Sequence, residues 1–193
     1  KQNINFSEFD LQVNVPNKKK LILKKIKIPL LGVHNIRNSV AATAVALTIG
    51  ISVKNIKEGL LNFKGVQRRF NKIFTYNKID FYDDYAHHPT EIKVVLEGVK
   101  RVYNDYDKVC IFQPHRISRL KDLKKEFSYS FKDADTVLLC PIFTAGEKIK
   151  LGFNYLNFAK EIIKNSNVRL FLISDCFQLA KFLKRNMNGK KIV

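Results

Sequence analysis

The chain has 193 residues, 46% of them apolar, and a formal net charge of +18, which allows one domain with a sizeable core, or one plus part of another. No apolar run approaches the roughly 18 residues that a bilayer span needs, and the opening KQNINFSEF lacks a signal-peptide core, so a cytoplasmic protein without membrane insertion is expected. The charge is mostly scattered lysine, its tight groups such as Lys18-Lys19-Lys20, Lys24-Lys25 and Lys190-Lys191 are short, and there is no helix-turn-helix, zinc-finger or RNP motif, which argues against specific nucleic-acid binding.

In chain order, residues 21–31 set Leu21, Leu23, Ile26 and Ile28 among lysines and predict a strand ending at Pro29 and Gly32. The alanine-rich stretch from His34 predicts a helix with Gly50 as its C′ residue. Residues 53–63 predict a second helix, with Ile56, Leu60 and Leu61 inward and Gly65 closing it. Residues 64–70, which hold Arg68-Arg69, read as a hinge, and 73–76 and 79–82 read as a hairpin about Asn77-Lys78. Strands and helices then alternate. A helix at 89–103 puts Ile92, Val95, Leu96 and Val99 on one face, followed by strand 108–112, helix 118–131, strand 136–140, helix 155–163, strand 168–173 and helix 176–187. Residues 191–193 read as the start of an incomplete last strand. Cys110, Cys140 and Cys176 are far apart, without C-x-x-C spacing, and are expected as buried, reduced thiols.

Short continuous apolar strands between amphipathic helices define the fold class as α/β, a Rossmann-like, doubly wound, mostly parallel sheet over 66–193. Residues 1–65 hold one clear strand and two helices, too few to close a core, and read as the tail of a truncated domain.

Polar clusters fall at the ends of these elements, where ligands bind in open α/β sheets. Asp83-Asp84-Tyr85-Ala86-His87-His88-Pro89-Thr90-Glu91 follows an apolar strand and opens a helix. A cap formed by His88 or a neighbour, with Pro89 at the first helical position, accounts for only part of it. Phe112-Gln113-Pro114-His115-Arg116-Ile117-Ser118-Arg119 follows the next strand, and Arg116 and Arg119, one turn apart, suit a carboxylate. Asn35 and Asn38 share a helix face and either bracket a polar ring or phosphate or serve as an N-cap. Arg68-Arg69 suits a phosphate or an interdomain salt bridge. His87 can act as a general base, because imidazole titrates near neutrality.

In order and spacing, His34-Asn-x-x-Asn38, Gly65-Val-x-Arg68-Arg69-Phe70, Asp83-Asp-Tyr-x-His-His-Pro-Thr-Glu91, Phe112-Gln-Pro-His-Arg-x-x-Arg119 and Ala145-Gly-Glu147 resemble the Mur ligases of peptidoglycan synthesis, from about residue 20 onward. The resemblance implies an ATP-dependent ligase joining L-alanine to the muramoyl carboxylate of UDP-N-acetylmuramate through an acyl phosphate, with Mg²⁺ offsetting phosphate charge. It places His34, Asn35, Asn38, Arg69 and Asp84 at ATP, with Asp84 suited to the ribose hydroxyls. It places Tyr85, His87, His115, Arg116 and Arg119 at L-alanine. It also implies that residues 1–65 are the end of a P-loop-type ATPase domain and 66–193 the amino-acid-binding domain. Ile117 stands where the family usually has tyrosine. No G-x-x-x-x-G-K-[ST] loop and no metal ligands occur in this stretch, so the fragment is not expected to turn over alone. Alternatives are a murein tripeptide ligase of cell-wall recycling and a non-catalytic nucleotide-binding module, and the oligomeric state stays open.

Overall fold

The computed structural model describes residues 6–14, 20–147 and 153–193, which leaves the Lys18-Lys19 pair outside the described residues. The chain divides into two compact units, Lys1–Val66 and Gln67–Val193.

In the first unit β1 (Ser7–Val13) pairs antiparallel with β2 (Leu21–Ile28). The reading of one strand here is therefore corrected to two. Phe9, Leu11 and Val13 alternate with Glu8, Asp10 and Gln12, as a half-buried strand requires. Ser7 is fully buried and donates its Oγ–H to the Leu30 carbonyl at 2.7 Å. Helix α1 (Val33–Thr48) starts at Gly32, whose φ of 91° and 2.6 Å approach of a hypothetical Cβ to the His34 ring admit only glycine. It ends as expected at Gly50, φ +85°, with Gly50 N–H donating to Leu47 O and Ile51 N–H to Ala46 O. Helix α2 (Val53–Asn62) begins at Ser52, whose side chain accepts the Asn55 N–H. It ends at Phe63, which is extended, so Gly65 does not close it. Leu61, expected inward, is 52% exposed. The inward stripe is buried Ile56 with half-buried Leu60, one turn apart, and Leu61 falls to its side.

The second unit is one six-stranded sheet in the order β3-β4-β8-β5-β6-β7. Strands β3 (Asn71–Tyr76) and β4 (Ile79–Asp83) form the hairpin, and Asn77 and Lys78 take φ of 50° and 64°, the positive pair that a tight two-residue turn needs. All other pairings are parallel. Helix α3 (Pro89–Val102) leads to β5 (Asp107–Phe112), and α4 (Ile117–Asp122) with α5 (Lys124–Tyr129) leads to β6 (Thr136–Leu139). Helix α6 (Tyr155–Ser166) leads to β7 (Arg169–Leu172), and α7 (Cys176–Asn186) to β8 (Lys191–Ile192). The helix expected over 118–131 is thus two, because Leu123 leaves helical geometry (φ −115°, ψ 26°), with buried Leu120 before it and buried Phe127 after it.

Alternation along the strands sorts the core into two layers. Phe112, Val137 and Leu139 face Ile92 and Leu96 of α3, Phe127 of α5 and Phe158 and Ile162 of α6. Val109, Leu138 and Cys140 face the opposite side, where Leu179, Phe182 and Leu183 of α7 pack. Strands β5, β6 and β7 step one way across the sheet with their helices on one face, and α7 returns the chain over the other, as right-handed crossovers demand. Phe127, Phe131 and Phe158 are each under 2% exposed, worth about 1.5–3 kcal/mol apiece relative to exposure. All three cysteines are free thiols. Cys140 is buried and Cys110 half-buried, but Cys176, expected buried, is exposed because it opens α7, none of whose residues is fully buried. Among the described residues no helix is long and apolar enough to cross a membrane.

Candidate functional site

Three loops at the carboxyl ends of β4, β5 and β6 carry the polar clusters. In the first, the Asp84 carboxylate organises the turn: Oδ1 accepts the Ala86 N–H at 2.7 Å and Oδ2 the Phe70 N–H at 2.9 Å. His88 caps α3, with Nδ1 accepting the Thr90 N–H at 3.3 Å. Glu91 completes a capping box by accepting the N–H groups of His87 at 3.0 Å and His88 at 3.1 Å. Burial raises the Glu91 pKa, but those two amides, with the charges of His87 and Arg69, bring it below the ordinary carboxylate value. The cap consumes His88 and Glu91. Tyr85 and His87 remain to line a site.

Those two side chains meet the second loop. Tyr85 and His87 rings lie edge to face at 5.0 Å, and the His87 and His115 centroids are 6.2 Å apart. The Arg119 guanidinium points between them, with Nη1 3.5 Å from the His87 carbonyl, 3.5 Å from His115 Nδ1 and 3.4 Å from the His115 carbonyl. Arg116 is exposed at the N-cap of α4. Burial, then the charges of Arg119, Arg116 and His87, holds His115 below the usual imidazole value, with Glu147 pulling the other way. His87 Nδ1 lies 2.8 Å from the Tyr85 carbonyl, to which it donates, so that in the neutral ring Nε2 is the acceptor. Such a cluster can take a carboxylate on its guanidinium forks and a proton on an imidazole.

The third loop lies alongside. Phe143 stacks on His115, with centroids 5.5 Å apart, and bridges to it through backbone bonds from Arg116 N to Phe143 O (2.9 Å) and from Phe143 N to Pro114 O (2.8 Å). Glu147 takes both the amide and the hydroxyl of Ser118. Ile117 is buried, at 5% exposure. An apolar hollow of about 250 Å³ between β3, β4, α3 and β5 includes Phe74, Phe81, Leu96 and Val109, and contains none of these imidazole or guanidinium groups.

Tyr85, His87, His115 and Arg119 are thus brought together, with Arg116 beside them. Arg69 lies near Glu91, whose charge it influences, and donates its own N–H to Asn71 Oδ1. His34, Asn35 and Asn38 occupy the first turns of α1 in the other unit, where Asn35 donates its side-chain amide to Leu31 O at 2.7 Å. Arg68, expected with Arg69 at a phosphate or an interdomain salt bridge, has its guanidinium 4.4 Å over the Tyr85 ring and 3.5 Å from Asp83 of its own unit, and sequence reasoning gave no site role to Phe143 and Glu147. The pattern of Glu three residues after a cap was a legible signal for Glu91; the others depend on tertiary contacts.

A six-stranded, mostly parallel sheet with imidazole and guanidinium loops at its carboxyl edge defines an α/β ligand-binding domain. Residues 68–193 match the family model described as Mur ligase, glutamate ligase domain, and the chain belongs to the Mur ligase family. Over its full length it is 68% identical to the UDP-N-acetylmuramate–L-alanine ligase of Pelagibacter ubique, spanning 42% of that protein. The crystal structure of the UDP-N-acetylmuramate–alanine ligase of Thermotoga maritima matches 98% of the chain, and 39% of its own, at 25% identity and a TM-score of 0.70. The murein peptide ligase of Psychrobacter arcticus shares the fold, with a TM-score of 0.65 at 23% identity over 97% of this chain and 40% of its own.

Proposed function

We propose that this chain is part of an ATP-dependent ligase that joins L-alanine to the muramoyl carboxylate of UDP-N-acetylmuramate in peptidoglycan synthesis. Within it, residues 67–193 hold the amino acid, and residues 1–66 belong to an ATP-binding domain. The observation that carries the reading is the meeting of Arg119, His115 and His87 at one sheet edge, in a chain 68% identical to a ligase of that name.

The muramoyl carboxylate attacks the γ-phosphorus of ATP, giving ADP and an acyl phosphate. The alanine amine then attacks the acyl carbon, and the tetrahedral intermediate expels phosphate. Arg116 and Arg119 hold the alanine carboxylate, while Tyr85 and neutral His115 border the amine without repelling its ammonium form. His87 Nε2 takes the ammonium proton. Its Nδ1–H is held by the Tyr85 carbonyl, and Glu91, 3.7 Å from Nδ1, offsets the charge that develops on the ring. ATP roles fall to His34, Asn35 and Asn38, and to Arg69 and Asp84, whose carboxylate oxygens accept more than one hydrogen bond each. Mg²⁺ supplies charge neutralisation in such reactions. The described residues hold no group of three His, Cys, Asp or Glu side chains fit to ligate it, and the steps assigned to this chain's residues use none.

The full-length protein is expected to release phosphate from ATP only with UDP-N-acetylmuramate and L-alanine both present, and to prefer alanine over a tripeptide acceptor. Replacing His87→Gln should lower kcat by about 10²–10⁴-fold, the usual contribution of a positioned base. A rise in alanine KM with kcat intact would withdraw the base role and leave His87 as a binding residue.

A further inference from the structure

Helix α4 carries Arg119, with Arg116 at its N-cap, yet it has only six residues and its N-cap side chain makes no capping bond. So short a helix does not hold its own shape in water. Its first residue is preceded by Arg116 at φ 69° and ψ 129°, on the side of backbone space that costs a non-glycine residue and persists only when its surroundings enforce it. Two contacts, both from the loop after β6, supply that enforcement. One is the Arg116 N–H bond to the Phe143 carbonyl at 2.9 Å. The other is a two-point grip by Glu147, whose Oε2 accepts the Ser118 N–H at 3.0 Å while Oε1 accepts the Ser118 hydroxyl at 2.6 Å, across 29 residues of sequence.

The loop is shaped to deliver that carboxylate. Thr144–Glu147 is a tight turn closed by Glu147 N–H to Thr144 O at 3.1 Å, with Ala145 and Gly146 both at positive φ (52° and 85°). It turns the chain back so that Glu147 faces the start of α4.

We infer that Glu147 is a positioning residue for the amino-acid site: by gripping Ser118 it fixes the first turn of α4, so that Arg116 and Arg119 present their guanidinium forks in one orientation to the substrate carboxylate. The inference rests on the ligase reading above. Glu147 is half-exposed and Ser118 exposed, so losing the grip should cost orientation more than stability. The Ser118 hydroxyl, then the Ser118 amide, keeps the Glu147 carboxyl below its ordinary value, so the grip is in its charged form near neutral pH.

The test uses the full-length protein with ATP, UDP-N-acetylmuramate and varied L-alanine. Glu147→Ala should raise the alanine KM about tenfold to a hundredfold, the scale of a displaced binding group, with kcat within about threefold, ATP KM unchanged and an unaltered melting temperature. Adding Ser118→Ala should produce no further loss, because Glu147→Ala has already removed the partner of the Ser118 hydroxyl. Glu147→Gln, which keeps one acceptor, should fall between wild type and Glu147→Ala. The inference is overturned by an unchanged alanine KM in Glu147→Ala, by additive losses in the double variant, or by a fall in melting temperature that carries the alanine and ATP constants with it. It is also overturned if Glu147→Gln binds alanine more tightly than wild type, which would make Glu147 a competitor for the arginines. A wild-type protein with no alanine-dependent phosphate release sinks the ligase reading and this inference together, whereas wild-type turnover with any of the other outcomes sinks this inference alone.

Discussion

The two units of one chain solve the burial problem differently. The second packs phenylalanine, leucine and isoleucine on both faces of its sheet. The first buries Leu23, Ile26, Ile28 and Ile56, while the buried positions of its long helix α1 are Ser39 and Thr43, and Ile49 and Val45 stand 69% and 63% exposed. Both hydroxyls are satisfied by carbonyls one turn back, Ser39 by Asn35 and Thr43 by Ser39. Apolar content alone therefore says little about autonomy. What matters is whether apolar side chains find one another, and among the described residues the large apolar clusters lie in the second unit.

The sharpest way to break this comparison is to separate the units. Residues 67–193 alone should unfold in one cooperative transition by calorimetry, and residues 1–66 alone should show none. A cooperative transition in the shorter piece would overturn the contrast. Next in size, Phe158→Ala removes a fully buried ring where α6 meets the sheet and should cost about 3–5 kcal/mol by denaturant titration of the second unit. Smaller and confined by pH is the effect of Glu91→Gln. The folded Glu91 pKa lies below its ordinary 4.5, so its contribution is complete above that value and fades as pH falls through the lowered one. The wild type should lose melting temperature more steeply than Glu91→Gln between about pH 5 and pH 3, and parallel curves would show the capping box to be inert. Smallest of all, Val45→Ser on the exposed face of α1 should change stability by no more than about 0.5 kcal/mol; a loss of several kcal/mol would mean that this face is covered.

Local signals were legible where local chemistry decides. The positive-φ turn at Asn77-Lys78, the Gly50 stop and the Pro89 helix start stand where their residue types put them. So does the placing of polar clusters at strand ends, because a strand's carboxyl end is visible wherever an apolar run meets a polar one. The alternation at 7–13 carries the same period-two signal as the lysine-flanked run after it. The break at Leu123 has no proline or glycine to announce it. The roles of Arg68, Phe143 and Glu147 arise from contacts such as Ser118 with Glu147, 29 residues apart, which periodicity does not encode. Asp84 illustrates the limit within a motif: its residue type suggested a ligand group, and the folded loop also uses it to tie Phe70 and Ala86 together.

Strand β8 follows every other strand in sequence, yet it lies between β4 and β5, and Lys191 pairs with Asp107 across 84 residues. On a ribosome adding roughly 5–20 residues per second, β5 waits about 4–17 s for this neighbour. During that interval the nascent sheet exists as two pieces with bare inner edges, each a template for pairing with the wrong strand. Closure from the middle makes the domain's assembly a late, all-at-once event, and any delay in translation beyond β7 prolongs the time in which a chaperone has something to hold.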